Sequence, residues 1–162
     1  MAQVKAVGYI ALRMGSNLTI RRALLNDAYE AAEVFIASQH SLDFFPRLHT
    51  DAETHDFVRG FVGRGETWLA ERDHEIVGLA CIEGDTLAHL YVHPDHHNSG
   101  AGSALLDKVK SRRPKGFQLW TFQANDGARR FYERHGCKAV EFTDGQNNDE
   151  KLPDMRYVWP PA

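Results

Sequence analysis

The chain has 162 residues, 43% of them hydrophobic and 25% charged, the length and balance of one globular domain around one core. Its net charge of −3 argues against nucleic acid as the main partner, because phosphate binding needs a basic face. No apolar run approaches the roughly 20 residues that cross a bilayer, and Cys81 and Cys137 sit inside apolar runs, where a reduced, buried pair is expected rather than a disulfide.

Residues 1–17 read as a lead, either disordered or the product of an upstream start, since Met14 also precedes the first clear strand. Val7–Leu12 is too short and poorly flanked for a secretory signal, and no small-residue cleavage site follows it. A cytoplasmic protein is therefore expected. Leu18–Ala23 alternates apolar and polar residues as a half-buried strand does. Asn26 is expected to cap a helix whose face carries Ala28, Ala31, Ala32, Phe35 and Ile36. Ser38–Thr50 reads as a loop or short turn, and a second helix is expected from about Ala52 to Val62, stopping at Gly63.

Thr67–Glu71 and Ile76–Ile82 flank Asp73-His74 as a hairpin does. A further strand, Thr86–Val92, ends before Pro94. A helix over Gly100–Arg112, a strand over Phe117–Phe122 and a helix from Asp126 to His135 closed by Gly136 follow. Val140–Phe142 and Met155–Trp159 form two last strands around a polar loop. The strand-helix-strand units of the second half predict parallel pairing there, and the hairpins predict antiparallel pairing elsewhere. A mixed α/β sheet follows.

His97-Asn98-Ser99-Gly100-Ala101-Gly102-Ser103 lies directly between a strand and a helix. Glycine permits positive φ and has no Cβ to block a ligand. The first amides of the helix point free into the turn, and the helix dipole favours an anion there. A pyrophosphate is a natural occupant, and a merely tight helix start is the plain alternative. The turn lacks the Gly-Lys-Ser/Thr ending of a P-loop. It also lacks the third glycine of a dinucleotide fold, since position 105 is Leu105.

With Leu90-Tyr91-Val92-His93-Pro94 before it, this segment resembles the cofactor loop of the GNAT superfamily of N-acetyltransferases, Gln/Arg-x-x-Gly-x-Gly/Ala. Gly100 and Gly102 fill both glycine positions, and His97 stands where the family usually has Gln or Arg. A second segment, Asn125 to Gly136, is similar to the family's Asn-x-x-Ala-x-x-Phe-Tyr-x-x-x-Gly through Asn125, Ala128, Phe131, Tyr132 and Gly136. Asn125 and Tyr132 are seven residues apart, two helical turns or about 10 Å, so both could face one ligand.

The resemblance implies a mixed, centrally splayed β-sheet flanked by helices over residues 18–162. It implies acetyl-CoA as co-substrate and direct attack by an amine in a ternary complex. By the same resemblance Leu90, Tyr91 and Val92 would bind the pantetheine arm and the thioester oxygen through their backbone. His97, Asn98, Ser99, Gly100, Ala101, Gly102 and Ser103 would hold the pyrophosphate. Asn125 and Ala128 would contact the cofactor, and Tyr132 would serve the departing sulfur. A catalytically silent acyl-CoA-binding or sensing module is the competing reading. A nucleotide-binding protein is a third.

The base stays open among Glu83, Asp85, His89 and water, with Thr86 at the aligned position. His89, His93, His96 and His97 invite a metal reading, but neighbours in sequence need not converge, and no metal is expected. The run Lys108, Lys110, Arg112, Arg113 and Lys115 reads as a solvated helix end that could also attract coenzyme A phosphates. Ser38–Thr50, with His40, Phe44, Phe45 and His49, and Asp144–Asp154, with Asp149 and Glu150, are left to flank the acceptor. Acidic groups there favour a cationic amine. A small amine, an amino acid, an antibiotic and a protein lysine all fit. Neither nucleic acid nor membrane is expected as partner, and a homodimer stays open.

Overall fold

The computed structural model describes residues 17–161. The expected lead at 1–17 lies, but for Asn17, outside them. The elements run β1 (Leu18–Arg22), α1 (Ala28–His40), α2 (Asp51–Arg64), β2 (Glu66–Arg72), β3 (Glu75–Glu83), β4 (Thr86–Val92), α3 (Ala101–Arg112), β5 (Phe117–Phe122), α4 (Asp126–Arg134), β6 (Lys138–Phe142) and β7 (Asp154–Trp159). The strands form one seven-stranded sheet in the order β1-β2-β3-β4-β5-β7-β6.

Asn26 does not cap α1. It sits in a short 3-10 turn over Leu25–Asp27, and Asp27 takes the cap position. The Asp27 carboxylate turns back to accept from the Leu24 amide at 2.8 Å and from both terminal nitrogens of Arg21 at 2.8 and 2.9 Å. A bidentate guanidinium pair is stronger than a neutral cap, so the local geometry follows Asp27. At its other end α1 continues to His40, three residues into the segment read as loop, because Ser38 is buried against the core.

Helix α2 begins at Asp51 behind a capping box of Thr50 and Glu53, and it runs through Gly60 and Gly63 to Arg64. A helical glycine costs about 1 kcal/mol. Burial of a residue such as Phe61 returns roughly 1.5–3 kcal/mol, and Val58 and Phe61 are both fully buried, so Gly63 does not stop the helix. The β2–β3 hairpin turns through Asp73 and His74, both at positive φ (49° and 67°), as a two-residue turn that follows the strand twist requires.

Parallel pairing in the second half is confined to β4 and β5. The β5-α4-β6 unit does not bring its two strands together, because β7 inserts between them, antiparallel to both. Helices α1 and α2 cover one face of the sheet through Ala31, Ala32, Phe35, Val58 and Phe61. Helices α3 and α4 cover the other through Leu105, Leu106, Val109 and Tyr132. Bulges in β3 at Val77 and in β4 at Ala88 shift the side-chain alternation there, so Leu90 and Val92 face the α3/α4 side while His89 and Tyr91 pack toward α1 and α2. Cys81 and Cys137 are buried on opposite faces and do not meet.

Candidate active site

The sheet opens at its centre. β4 pairs with β5 only where Thr86 faces Gln118, closed by the Gln118 amide donating to the Asp85 carbonyl at 2.9 Å. β4 stays tied to β3 as far as Val92, and the His93 amide donates to the Val77 carbonyl just beyond. One edge of β4 therefore leaves its backbone groups without a strand partner over most of its length, and buried backbone groups need partners. A cavity of about 410 Å³ occupies this opening.

From β4 the cavity is lined by Leu90, Tyr91 and Val92, and from the following turn by His96, His97, Asn98 and Gly100. Gly102 and Ser103 add the first turn of α3. The turn reaches this shape through two left-handed residues, Asn98 (φ 59°) and Gly100 (φ 90°). A Cβ built on Gly100 would meet nothing within 4 Å, so the space beside it is open, whereas one on Gly102 would lie 3.4 Å from the Phe131 ring. Among the described residues no acceptor meets the amides of Asn98 to Ser103. These amides, at a helix N-terminus, form a cradle for an anion.

Two of the expected turn residues point elsewhere with their side chains. Ala101 is fully buried in the core. The Ser99 hydroxyl donates to the His96 carbonyl at 2.5 Å, and its own carbonyl accepts from Arg72 at 2.8 Å. Both contribute only backbone to the turn. His97 Nε2 donates to the Val92 carbonyl at 3.0 Å, which pins the turn to the end of β4. The Ser103 hydroxyl lies 2.9 Å from His135 Nε2.

α4 forms the opposite wall with Asn125, Gly127, Ala128, Arg130, Phe131, Tyr132 and Arg134. Asn125 caps this helix, its Oδ1 accepting from the Ala128 amide at 3.1 Å, and the two-turn spacing does bring Asn125 and Tyr132 to one cavity. Burial pushes the Tyr132 hydroxyl up from its ordinary 10, with smaller contributions from Tyr91 and Cys137. A phenol held in its neutral form is a proton donor at neutral pH.

Sequence reasoning missed Arg130 and Arg134, one turn apart on α4, as the cations at this site. The basic run of α3 lies at the other end of that helix, about 16 Å from the glycine turn by helical rise. Arg112 and Arg113 there bind Glu66, and Lys108 sits over Trp68. Ser38, Ser41 and Leu42 at the end of α1 also line the cavity, and no spacing rule announced them.

The base candidates separate cleanly. Glu83 and Asp85 flank the β3–β4 turn, at the closed end of the opening, and Asp85 is engaged by Thr86 and Gln118. From Thr86 to Val92 a strand covers about 20 Å, so both carboxylates lie at the end of β4 away from the glycine turn. His89 stacks on Phe61 at 4.7 Å and meets Phe35 and Phe57 edge-on. Burial lowers its pKa from 6.5 to about 4, which makes it a packed neutral ring and a poor base. Among the described residues no three of His, Cys, Asp and Glu converge as a metal set, and no helix there is long and apolar enough to cross a membrane.

Beyond Ser41 and Leu42, which line the cavity at the end of α1, the chain continues as a loop. Phe44 and Phe45 pack edge-on against Phe122, with ring centres 6.0 and 5.8 Å apart. The segment after β6 is held by Asn148, whose Nδ2 donates to the Leu152 carbonyl at 2.7 Å. Burial raises the Tyr91 hydroxyl; Gln39 opposes this through a hydrogen bond and the Glu150 carboxylate adds to it. Glu150 thus stands within electrostatic reach of the opening.

A glycine turn, a splayed strand and an asparagine-to-tyrosine helix arranged around one cavity can be set beside known proteins. The family model for the acetyltransferase (GNAT) domain matches residues 63–138, which hold both segments. The peptidyl-lysine N-acetyltransferase YiaC of Escherichia coli is 30% identical over 101 residues, 62% of this chain and 67% of that one. The chain belongs to the GNAT acetyltransferases. The peptidyl-lysine N-acetyltransferase YjaB of Escherichia coli is 27% identical over 145 residues, 87% of this chain and 97% of that protein. The solution structure of apo-form YjaB superposes with a TM-score of 0.74 at 22% identity, covering 90% of this chain and 99% of that one. A GCN5-related N-acetyltransferase from Rhodopseudomonas palustris does so at 0.74 and 22%, covering 86% and 93%. The GNAT chain described here is thus an acyltransferase by family, with the open mixed sheet of its relatives.

Proposed function

We propose that this acyltransferase moves an acetyl group from acetyl-CoA to an amine by direct attack in a ternary complex. One observation carries the reading: unpartnered helix-start amides, the free edge of β4 and Tyr132 all border one cavity. The residues present fit the co-substrate. The open space beside Gly100 admits a phosphate to the amides of Asn98 to Ser103, and Arg130 and Arg134 supply positive charge. Asn125 and Ala128 flank the arm. The free backbone of Leu90 to Val92 pairs with the pantetheine amides as a strand partner would.

Acetyl-CoA supplies a thioester-bound acetyl group. Transfer forms a carbon–nitrogen bond, breaks the carbon–sulfur bond and removes one proton from the amine. A β4 amide donates to the acetyl oxygen as charge develops there. Tyr132, kept neutral by burial, donates to the departing sulfur. A primary amine has a pKa of about 10.4 and must lose its proton first. Burial keeps His89 a weak base, and Glu83 and Asp85 lie at the closed end of the opening, Asp85 engaged by Thr86 and Gln118, so the route we favour for the proton is water near Glu150.

The acceptor we favour is a lysine side chain in a peptide, the substrate named for YiaC and YjaB. The loop-built mouth with Glu150 and Asp149 suits a cation. Following free thiol with acetyl-CoA and a panel of lysine peptides, amino acids and small amines tests both parts. Thiol release that depends on peptide supports the reading. Tight cofactor binding with no release across the panel supports the silent module.

A further inference from the structure

Ser103 lines the cavity and is hydrogen-bonded to His135 behind it, a ring with one nitrogen fixed as a donor. His135 Nδ1 lies 2.7 Å from the Phe131 carbonyl oxygen, one turn back on α4. A carbonyl can only accept, so Nδ1 carries a proton. In the neutral ring Nε2 then has none and can only accept. Ser103 Oγ, 2.9 Å from Nε2, then donates its one hydrogen bond to the ring. Its lone pairs are what remain for the cavity, where the unpartnered amides of the turn await an anion.

A phosphate oxygen is also an acceptor. To bind it, the Ser103 hydroxyl must turn its proton away from His135, which would leave two lone pairs facing each other at hydrogen-bond distance. Protonating Nε2 removes that conflict. The nearby charged groups are Lys110 from α3, donating to the His135 carbonyl at 2.7 Å, and Arg134 on α4, over the Phe131 ring that packs against His135 at 4.4 Å; Arg130 lines the cavity, Glu133 accepts from the Tyr157 hydroxyl at 2.9 Å, and by helical spacing Asp107 lies one turn beyond Ser103. From β7 the neighbour is uncharged, Trp159, with Lys110 over its ring at 5.1 Å. Positive charge dominates, and an incoming anion offsets it.

We propose that His135 takes up a proton from solvent when a cofactor phosphate enters the cavity: the Ser103 hydroxyl, keeping its own hydrogen, rotates its hydrogen bond from His135 Nε2 to a phosphate oxygen, and the newly protonated Nε2 donates to Ser103 Oγ. The inference rests on acetyl-CoA occupying the glycine turn. Imidazole is the side chain whose charge ordinarily changes near neutral pH, so cofactor affinity becomes linked to pH.

Calorimetric titration of the whole protein with acetyl-CoA, in buffers of different ionisation enthalpy at pH 7.5, reads the protons taken up. The expected result is net uptake in the wild type and an affinity that weakens by up to about tenfold per pH unit as pH rises. His135→Gln offers an amide N–H to Ser103 without needing a proton, so it should bind with no uptake and little pH dependence. Ser103→Ala should also lose the uptake while retaining the amides and most of the affinity. Because the phosphates themselves titrate, the difference between wild type and variants is the measure. Binding without uptake, or uptake unchanged in either variant, overturns the relay. Absence of any acetyl-CoA binding removes the cofactor reading, and the relay falls with it.

Discussion

The two mouths of the central cavity are built from different parts of the chain. The side we propose for the cofactor is mostly backbone: amides of the glycine turn, the free edge of β4 and the cap of α4. The side we propose for the acceptor is side chains, mostly on loops: Phe44 and Phe45 against Phe122 of β5, and Glu150 near Tyr91 of β4. Backbone recognition constrains conformation and leaves most side chains free, so it leaves a spacing of glycines. Loop recognition constrains side chains that any fold could bring together, so it leaves no periodic mark. The cofactor mouth should accordingly be sensitive to backbone changes and the acceptor mouth to charge changes.

The largest effect is expected from Gly100→Val. The position has φ 90° and open space beside it, so the substitution combines a backbone strain of about 1–3 kcal/mol with a side chain in the phosphate's place. Acetyl-CoA affinity should fall by about a hundredfold or more, roughly 3 kcal/mol. Calorimetry on a folded sample checks it, and wild-type affinity would move the cofactor elsewhere.

His89 tests whether the face beneath the acceptor side is a dry aromatic box. Its folded pKa of about 4 lies below the ordinary 6.5, so between those values the unfolded chain binds a proton that the folded chain does not. Its stabilising contribution is complete above about pH 6.5 and is lost as pH falls to about 4, by up to about 3 kcal/mol. Urea unfolding midpoints of wild type and His89→Phe should therefore diverge over this window. Parallel curves would mean that the ring is not held neutral.

Tyr132→Phe keeps the ring and removes the donor. Thiols ionise near pH 8.5 and tyrosine near 10, so the help is modest, about tenfold to a hundredfold in the chemical step, at or below the low end of general acid catalysis. Single-turnover rates at saturating acetyl-CoA read this directly. An undiminished step removes Tyr132 from the mechanism, and a loss confined to affinity reassigns it to binding.

Glu150→Gln should give the smallest change, a severalfold rise in KM for a cationic acceptor with acetyl-CoA affinity intact, because a half-exposed charge at the protein surface contributes about 1 kcal/mol or less. The rise should shrink at high salt. An equal rise for a neutral amine acceptor would mean that charge is not what Glu150 supplies.

Strand and helix periods, the glycine turn and the Asn125-to-Tyr132 spacing were legible because each is a local rule: alternation, helical repeat, a missing Cβ. They carried the order of elements and most of one cavity wall before any contact was known. Some local expectations failed where a distant partner was stronger. Asn26 lost the cap of α1 because Arg21 on β1 holds Asp27, and Gly63 did not end α2 because Val58 and Phe61 bury the helix on the sheet. What the sequence by itself determined is thus the alternating elements and the amide cradle, since both depend on residues within one or two turns of each other. Only the tertiary structure decided that β7 separates β5 from β6, that Arg130 and Arg134 rather than the basic run of α3 face the cavity, and that His89 is enclosed while Glu83 and Asp85 lie at the closed end. Those outcomes depend on which sheet edge is left unpaired and which helix packs over it, and that is a competition among burial energies spread over the whole chain.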